Sequence, residues 1–221
     1  MVRANLDNVP EFTLPAGFTL RWYEPGDEAH WLRIHLAADP FNEITPELFR
    51  KQFGVDAGRG LQSPSEKHQN VPSSSFSSSS SKTRVKSRTR TRTTTRTSQC
   101  GVNSALRDLR QRQGYLLAPT GEVVGTGTAW FNHNFEGARW GRVHWLAIMP
   151  EFQGRGLAKP LMTSICRRLR ELGHQHVYLS TSTARHAAIG LYLRFGFEPL
   201  IQSPEDEAVW REVMPSVLRR G

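Results

Sequence analysis

Residues 143–161, Val-His-Trp-Leu-Ala-Ile-Met-Pro-Glu-Phe-Gln-Gly-Arg-Gly-Leu-Ala-Lys-Pro-Leu, constrain this chain more than any other stretch. The run from Val143 to Ile148 is dominated by β-formers, the signal of a strand buried on both faces. Pro150 ends it, because proline has no N–H for a ladder and forces an extended residue before it. Gln153-Gly154-Arg155-Gly156-Leu157-Ala158 follows, and then a helix is expected. Two glycines let the backbone turn tightly and bring its N–H groups close to a ligand. The first N–H groups of a helix lack internal partners, and the helix dipole makes that end positive. A strand that feeds such a loop suits a phosphate or pyrophosphate.

The spacing is not the Walker pattern, since no Gly-Lys-Ser/Thr closes it. It is not G-x-G-x-x-G either, because Lys159 stands where the third glycine would be. It does fit Gln/Arg-x-x-Gly-x-Gly/Ala, with Gln153, Gly156 and Ala158 at the fixed positions.

The flanking chain predicts what surrounds this unit. A helix over about 156–172 carries Leu157, Leu161, Ile165 and Leu169 at i, i+4, with Ala158, Met162 and Cys166 beside them and Arg167, Arg168, Arg170 and Glu171 opposite. Gly173 ends it, and His176–Thr181 reads as another buried strand. Strand, helix and strand of this length predict a crossover that sets the strands at Val143 and Val177 side by side and parallel. A second helix is expected from about Arg185 to Leu193, then a strand near Phe197. Trp210–Val217 reads as a last strand.

Before the glycine loop, Phe18–Tyr23 alternates as a strand does, and Asp27 is placed to cap a helix running to about Ala38. Asp39-Pro40 stops it. Pro46 opens a second helix that turns Leu48, Phe49 and Phe53 inward, with Gly54 as its stop. Gly114–Ala118 and Val123–Phe131 read as strands joined by a hairpin turn, with residues 132–137 as a link to the central strand. Glycines inside the longer strand point to a bulge or a close backbone approach. Residues 106–111 are too short and charged to assign.

The net charge of +9 is unevenly spread. Between Gln62 and Cys100 stand eight Lys/Arg and one acid, a net +7, which leaves +2 for the rest. Residues 73–81 are serine apart from Phe76, and 83–97 are largely Arg, Thr and Ser. Such a tract buries too little surface to offset its ordering entropy, so 62–100 is expected to be a disordered insertion within one domain spanning 1–221. It reads more readily as a loop expansion without a role than as a nucleic-acid tether, since no aromatic residues interleave its arginines. Two cysteines, Cys100 and Cys166, make no disulfide framework. With no apolar run after the first charges and no stretch of ~20 apolar residues, a cytoplasmic protein is expected.

Ala187-Ala188-Ile189-Gly190-Leu191-Tyr192-Leu193-Arg194-Phe195-Gly196-Phe197, at the right distance after the glycine loop, resembles the C-terminal motif of the GNAT superfamily of acyl-CoA-dependent N-acyltransferases. The Gln153–Ala158 loop resembles that superfamily's pyrophosphate loop. Together they imply an α/β fold in which a mixed central sheet is flanked by helices. They also imply acetyl (acyl) transfer from acetyl-CoA to a primary amine, with no metal. The alternative is a binding module: a GNAT fold that holds acyl-CoA without transfer, or one carried to nucleic acid by the basic insertion. The resemblance implies that Leu146, Ala147 and Ile148 pair with the pantetheine arm and that Gln153, Gly154, Arg155, Gly156, Leu157, Ala158 and Lys159 surround the pyrophosphate. Tyr192 corresponds to the general acid. His144, two residues before the pantetheine run, is a candidate base, with Glu151 a weaker one. Ser180 stands where many members have a carboxylate, and Arg185 where related enzymes often have an asparagine. Ser180, Thr181 and Thr183 are pocket candidates. The acceptor, a small-molecule amine more readily than a protein, is expected between the first two helices and the loops around Phe41 and Asn132. Trp31, Phe41, Trp130 and Phe131 are candidate aromatic lining.

Overall fold

The computed structural model describes residues 1–55 and 107–219. The expected insertion at 62–100, with Cys100, lies outside the described residues.

Six strands form one sheet: β1 (Val2–Arg3), β2 (Thr19–Trp22), β3 (Gln113–Leu117), β4 (Val123–Phe135), β5 (Ala138–Ile148) and β6 (Val177–Tyr178). Their order is β1-β6-β5-β4-β3-β2. Every neighbouring pair is antiparallel except β5 and β6, which run parallel as expected for strands joined through a helix. The helices are α1 (Glu28–Ala38), α2 (Pro46–Phe53), α3 (Ala158–Glu171), α4 (His186–Arg194) and α5 (Pro204–Leu218). Residues 107–112, which sequence reasoning left unassigned, are helical and lead into β3.

The pleat divides the core in two. On one face Leu116, Val124, Ala129 and Val143 meet α3 through Leu161, Ile165 and Leu169, the predicted i, i+4 stripe. On the other, Tyr115, Val123 and Trp130 meet Trp31 and Ile34 of α1 and Phe49 and Phe53 of α2. Trp31, Ile34, Phe53, Tyr115, Leu116, Leu161 and Ile165 are all fully buried. Each such side chain contributes about 1.5–3 kcal/mol on removal from water. Thr163 of α3 ties down the N-terminal segment: its Oγ1 donates to Pro10 O (2.9 Å) and accepts from Phe12 N (3.2 Å). The glycines of β4 answer to close packing. A Cβ on Gly127 would stand 3.2 Å from Ile165 Cγ1, and one on Gly125 only 2.6 Å from Ile148 Cδ1.

Four local expectations are corrected. Trp210–Val217 is not a strand but lies in α5, whose apolar residues at 209, 210, 213, 214 and 217 have helical spacing. The start signals stand upstream: Ser203 Oγ accepts from Asp206 N (3.1 Å), Pro204 takes the first helical position, and three acids fill the first turn. The segment near Phe197 forms no strand, only an isolated bridge from Glu198 to Val2. Residues 132–137 are not a link, because β4 and β5 extend to a tight Glu136-Gly137 turn with both φ positive (49° and 74°). Asp27 does not cap α1 with its side chain. Its carboxylate takes both Arg21 guanidinium nitrogens (2.6 and 2.7 Å) and Glu24 N (2.7 Å). Among the described residues, no helix is long and apolar enough to cross a membrane.

Candidate active site

The sheet opens at its centre. β5 and β6 pair only at Gly141–Val177 and Arg142–Tyr178, after which β5 continues to Ile148 without β6 beside it. On the other side β5 stays bound to β4, but with a bulge: Thr128 faces His144 while Thr126 faces Ala147, one residue too many on β5. The extra residue is accommodated at Trp145, whose φ of 49° is left-handed. Such a conformation in a bulky residue costs on the order of 1–3 kcal/mol and persists only where the surroundings enforce it. They do so here: the Trp145 ring is edge-on to Trp31 (5.1 Å) and His35 (5.0 Å). The bulge falls where β5 has left β6, and Leu146 and Ala147 follow it.

That gap is one end of a cavity of about 1080 Å³. Leu146, Ala147 and Ile148 line it, as do Gln153, Gly154, Gly156, Leu157, Ala158 and Lys159. Gly154 and Gly156 both have left-handed φ (74° and 77°), and a Cβ on either would project into open space. The loop thus presents bare backbone at the N-terminus of α3, which is the provision a diphosphate requires. Gln153 locks the loop to the strand through its Nε2, which donates to Ile148 O (2.9 Å). Arg155 is absent from the lining. It donates to Glu151 O (2.9 Å) and lies over the Phe152 ring (4.8 Å). Lys159 lines the cavity, with its ammonium 5.6 Å from the Phe12 ring centroid. Glu151 is an exposed turn residue outside the lining.

Tyr192 and His144 reach the same cavity from different elements. Tyr192 is 8% exposed on α4, and burial pushes its hydroxyl up to about 12, so it carries its proton at neutral pH. His144 is buried on β5. Burial, then the nearby Arg142 charge, holds its imidazole well below 6.5, so it is neutral at pH 7. Its Nε2 lies 3.0 Å from Gln52 Oε1 of α2. In the tautomer that donates to this oxygen, Nδ1 is the acceptor.

The opposite wall comes from α1, α2 and the loop between them: His35, Asp39, Phe41, Asn42 and Gln52. His35 is buried, which lowers its pKa to about 4. Asp39 fastens this wall to α4. Its side chain, 6% exposed, meets Arg185 Nη2 at 2.8 Å and also accepts from Phe41 N (2.9 Å) and Asn42 Nδ2 (2.8 Å). These donors hold its carboxylate below the usual range despite burial. Arg185 also covers the Phe41 ring (4.9 Å).

Of the aromatic candidates only Phe41 lines the cavity, while Trp31, Trp130 and Phe131 are core. Ser180 lines it, whereas Thr181 and Thr183 do not. Asn132 is elsewhere, donating to the Tyr178 hydroxyl (3.3 Å). Sequence reasoning missed Asp39, Gln52 and Arg142 as lining residues. The available signal was His35 in the last turn of α1 and Asp39 just past its end, a polar pair following an otherwise apolar face.

Residues 85–197 match the model of the acetyltransferase (GNAT) family. The chain belongs to this family. It is similar to N-acetyltransferase 8B of Rattus norvegicus, 34% identical over 87 residues (38% of this chain, 39% of that protein). It is also similar to an L-methionine sulfoximine/L-methionine sulfone acetyltransferase of Pseudomonas aeruginosa, 33% identical over 102 residues (44% of this chain, 59% of that protein). The chain therefore matches between 39% and 59% of the length of these curated relatives. Among solved structures, glucosamine-6-phosphate N-acetyltransferase from Arabidopsis thaliana resembles this GNAT protein with a TM-score of 0.46 and 13% identity, over 84% of this chain and 95% of that one.

Proposed function

We propose that this GNAT-family protein is an N-acetyltransferase that moves an acetyl group from acetyl-CoA to a primary amine by direct attack in a ternary complex. One observation carries the reading: the open edge of β5, the bare glycine loop and Tyr192 all line one cavity, which residues of α1, α2 and the loop between them also line. Acetyl-CoA, when bound, supplies the acetyl thioester. Backbone N–H groups of Gly154 to Lys159 suit its diphosphate, and the Leu146–Ile148 edge suits its pantetheine arm. A backbone N–H in that same run would polarise the thioester carbonyl. Tyr192 holds the proton that the departing thiolate takes. His144, neutral at pH 7, accepts the proton that leaves the nitrogen as the amide forms. The basic tract at 62–100 is taken as an insertion within this one domain, with no part in transfer.

The test is thiol release from acetyl-CoA in the presence of a panel of primary amines. Amine-dependent release well above hydrolysis is expected. Acetyl-CoA binding without release by any amine would instead identify a binding module.

A further inference from the structure

The imidazole of His144 has one nitrogen tied to protein and one left over. Nε2 lies 3.0 Å from Gln52 Oε1. Nδ1 has no partner among the described residues and keeps solvent-accessible surface, and the residue lines the cavity. Nδ1 is therefore the nitrogen that a group in the cavity can reach. The last turn of α2 sets two neighbours on the ring: Gln52 at Nε2, and the fully buried Phe53, edge-on at 5.8 Å. Trp145 is also edge-on to it, at 5.8 Å. That turn is itself fixed, since Gly54 ends the helix in a left-handed conformation (φ 66°) with its N–H on Arg50 O. A neutral imidazole carries one proton, and as a base it needs its lone pair toward the substrate. An amide oxygen accepts from Nε2 only when Nε2 holds that proton.

We infer that Gln52 is the positioning residue of the base: its amide oxygen keeps the proton of neutral His144 on Nε2, so that the Nδ1 lone pair is free for the acceptor nitrogen. The consequence for catalysis rests on the acetyltransferase reading above; the placement of the proton does not. As the C–N bond to the acetyl group forms, the proton leaves the acceptor nitrogen for Nδ1. The C–S bond breaks with its electron pair on sulfur, which takes the Tyr192 proton. The imidazolium so formed keeps its Nε2–H on Gln52, now as a charge-assisted hydrogen bond. An amide suits this place better than a carboxylate. Arg142 of β5 and His35 of α1 are the charged or titratable groups that bear on the ring, while β4 faces it with Thr128 and α2 with the uncharged Gln52. Gln52 thus orients the base without adding a negative charge that would hold it protonated.

The proton's place is read from the ring nitrogen shifts of His144 in a nitrogen–proton correlation spectrum of the full chain, assigned by its absence in His144→Gln. The Nε2–H form is expected at pH 7, and the Nδ1–H form overturns the inference. Function is read with Gln52→Met, which keeps the length and removes the acceptor, and with Gln52→Glu, which keeps an acceptor and adds a charge. With saturating acetyl-CoA and the panel amine that elicits most thiol release, each variant's rate is divided by the wild-type rate at the same pH, so that titration of the amine cancels. The Met variant is expected to run about tenfold or more below wild type at every pH. The Glu variant is expected to approach wild type at high pH and to lose activity at least about one pH unit earlier on the acid side, because a carboxylate on Nε2–H raises the pH at which the base becomes neutral. Equal, pH-independent losses in both variants would mark Gln52 as a packing residue and overturn the inference, as would a Met variant as fast as wild type. If no amine elicits thiol release, the spectrum of Gln52→Met decides. Loss of the Nε2–H form there upholds the placement of the proton and brings down only the acetyltransferase reading, whereas an unchanged spectrum brings down both.

Discussion

Tyr192→Phe is expected to lower kcat by about two orders of magnitude or more, with acetyl-CoA affinity close to wild type. The substitution removes one oxygen and leaves the ring in place. The hydroxyl makes no hydrogen bond to protein among the described residues, so nothing structural depends on it. The neighbouring Arg185 charge favours loss of its proton, but burial outweighs this and keeps the phenol protonated up to about 12. A coenzyme A thiolate that departs without a proton donor beside it is a poor leaving group. The loss should therefore fall on turnover and not on binding. Thiol release under saturating acetyl-CoA reads the first, and a binding titration reads the second. An unchanged kcat would show that the leaving thiolate takes its proton from elsewhere, and would leave Tyr192 as a packing residue.

Trp31→Ala is expected to destabilise the fold by about 3–5 kcal/mol, among the largest effects of any single side-chain truncation. Trp31 has no exposed surface and sits at the meeting point of α1, α2 and the bulge, with Phe49 at 5.2 Å, Phe53 at 6.0 Å and Trp145 at 5.1 Å. Total stabilities of single domains are about 5–15 kcal/mol, so this is a large fraction. Its own Nε1–H is buried without a partner, and its removal offsets part of the loss. Trp31→Phe, which drops that N–H and keeps an aromatic ring, is accordingly expected to cost much less. Urea unfolding measures both. A loss near zero for Trp31→Ala would mean that the α1–sheet interface does not hold the bulge in place.

The unit from Val143 to Leu172 was legible because its signals are local. β-formers, a proline stop, two glycines and an i, i+4 stripe each act within a few residues, and the end of β5, the loop and α3 lie where those signals put them, while β5 begins five residues earlier, at Ala138. The parallel neighbour at Val177 followed from chain connectivity alone. What was not legible depends on contacts distant in sequence. No pattern in residues 138–148 marks Trp145 as left-handed, because the bulge is a mismatch of register with β4. Asp39 reads as a helix stop until Arg185, 146 residues on, is seen to meet it. Trp210–Val217 is a helix and not the expected strand: its apolar residues have helical spacing, and Ser203, Pro204 and the acids after them announce a helix. Aromatic residues were equally ambiguous: composition cannot separate Trp31 of the core from Phe41 at the cavity wall.

The central claim is that the glycine loop and the adjoining edge of β5 grip an acyl-CoA. Isothermal titration of the full chain with acetyl-CoA tests it most directly. The account predicts saturable binding at one site per chain, weakened by a bulky substitution such as Gly156→Val that places a side chain in the open space of the loop. No heat and no saturation with acetyl-CoA or any longer acyl-CoA would contradict it, and would leave this chain with a GNAT fold whose cavity serves another purpose.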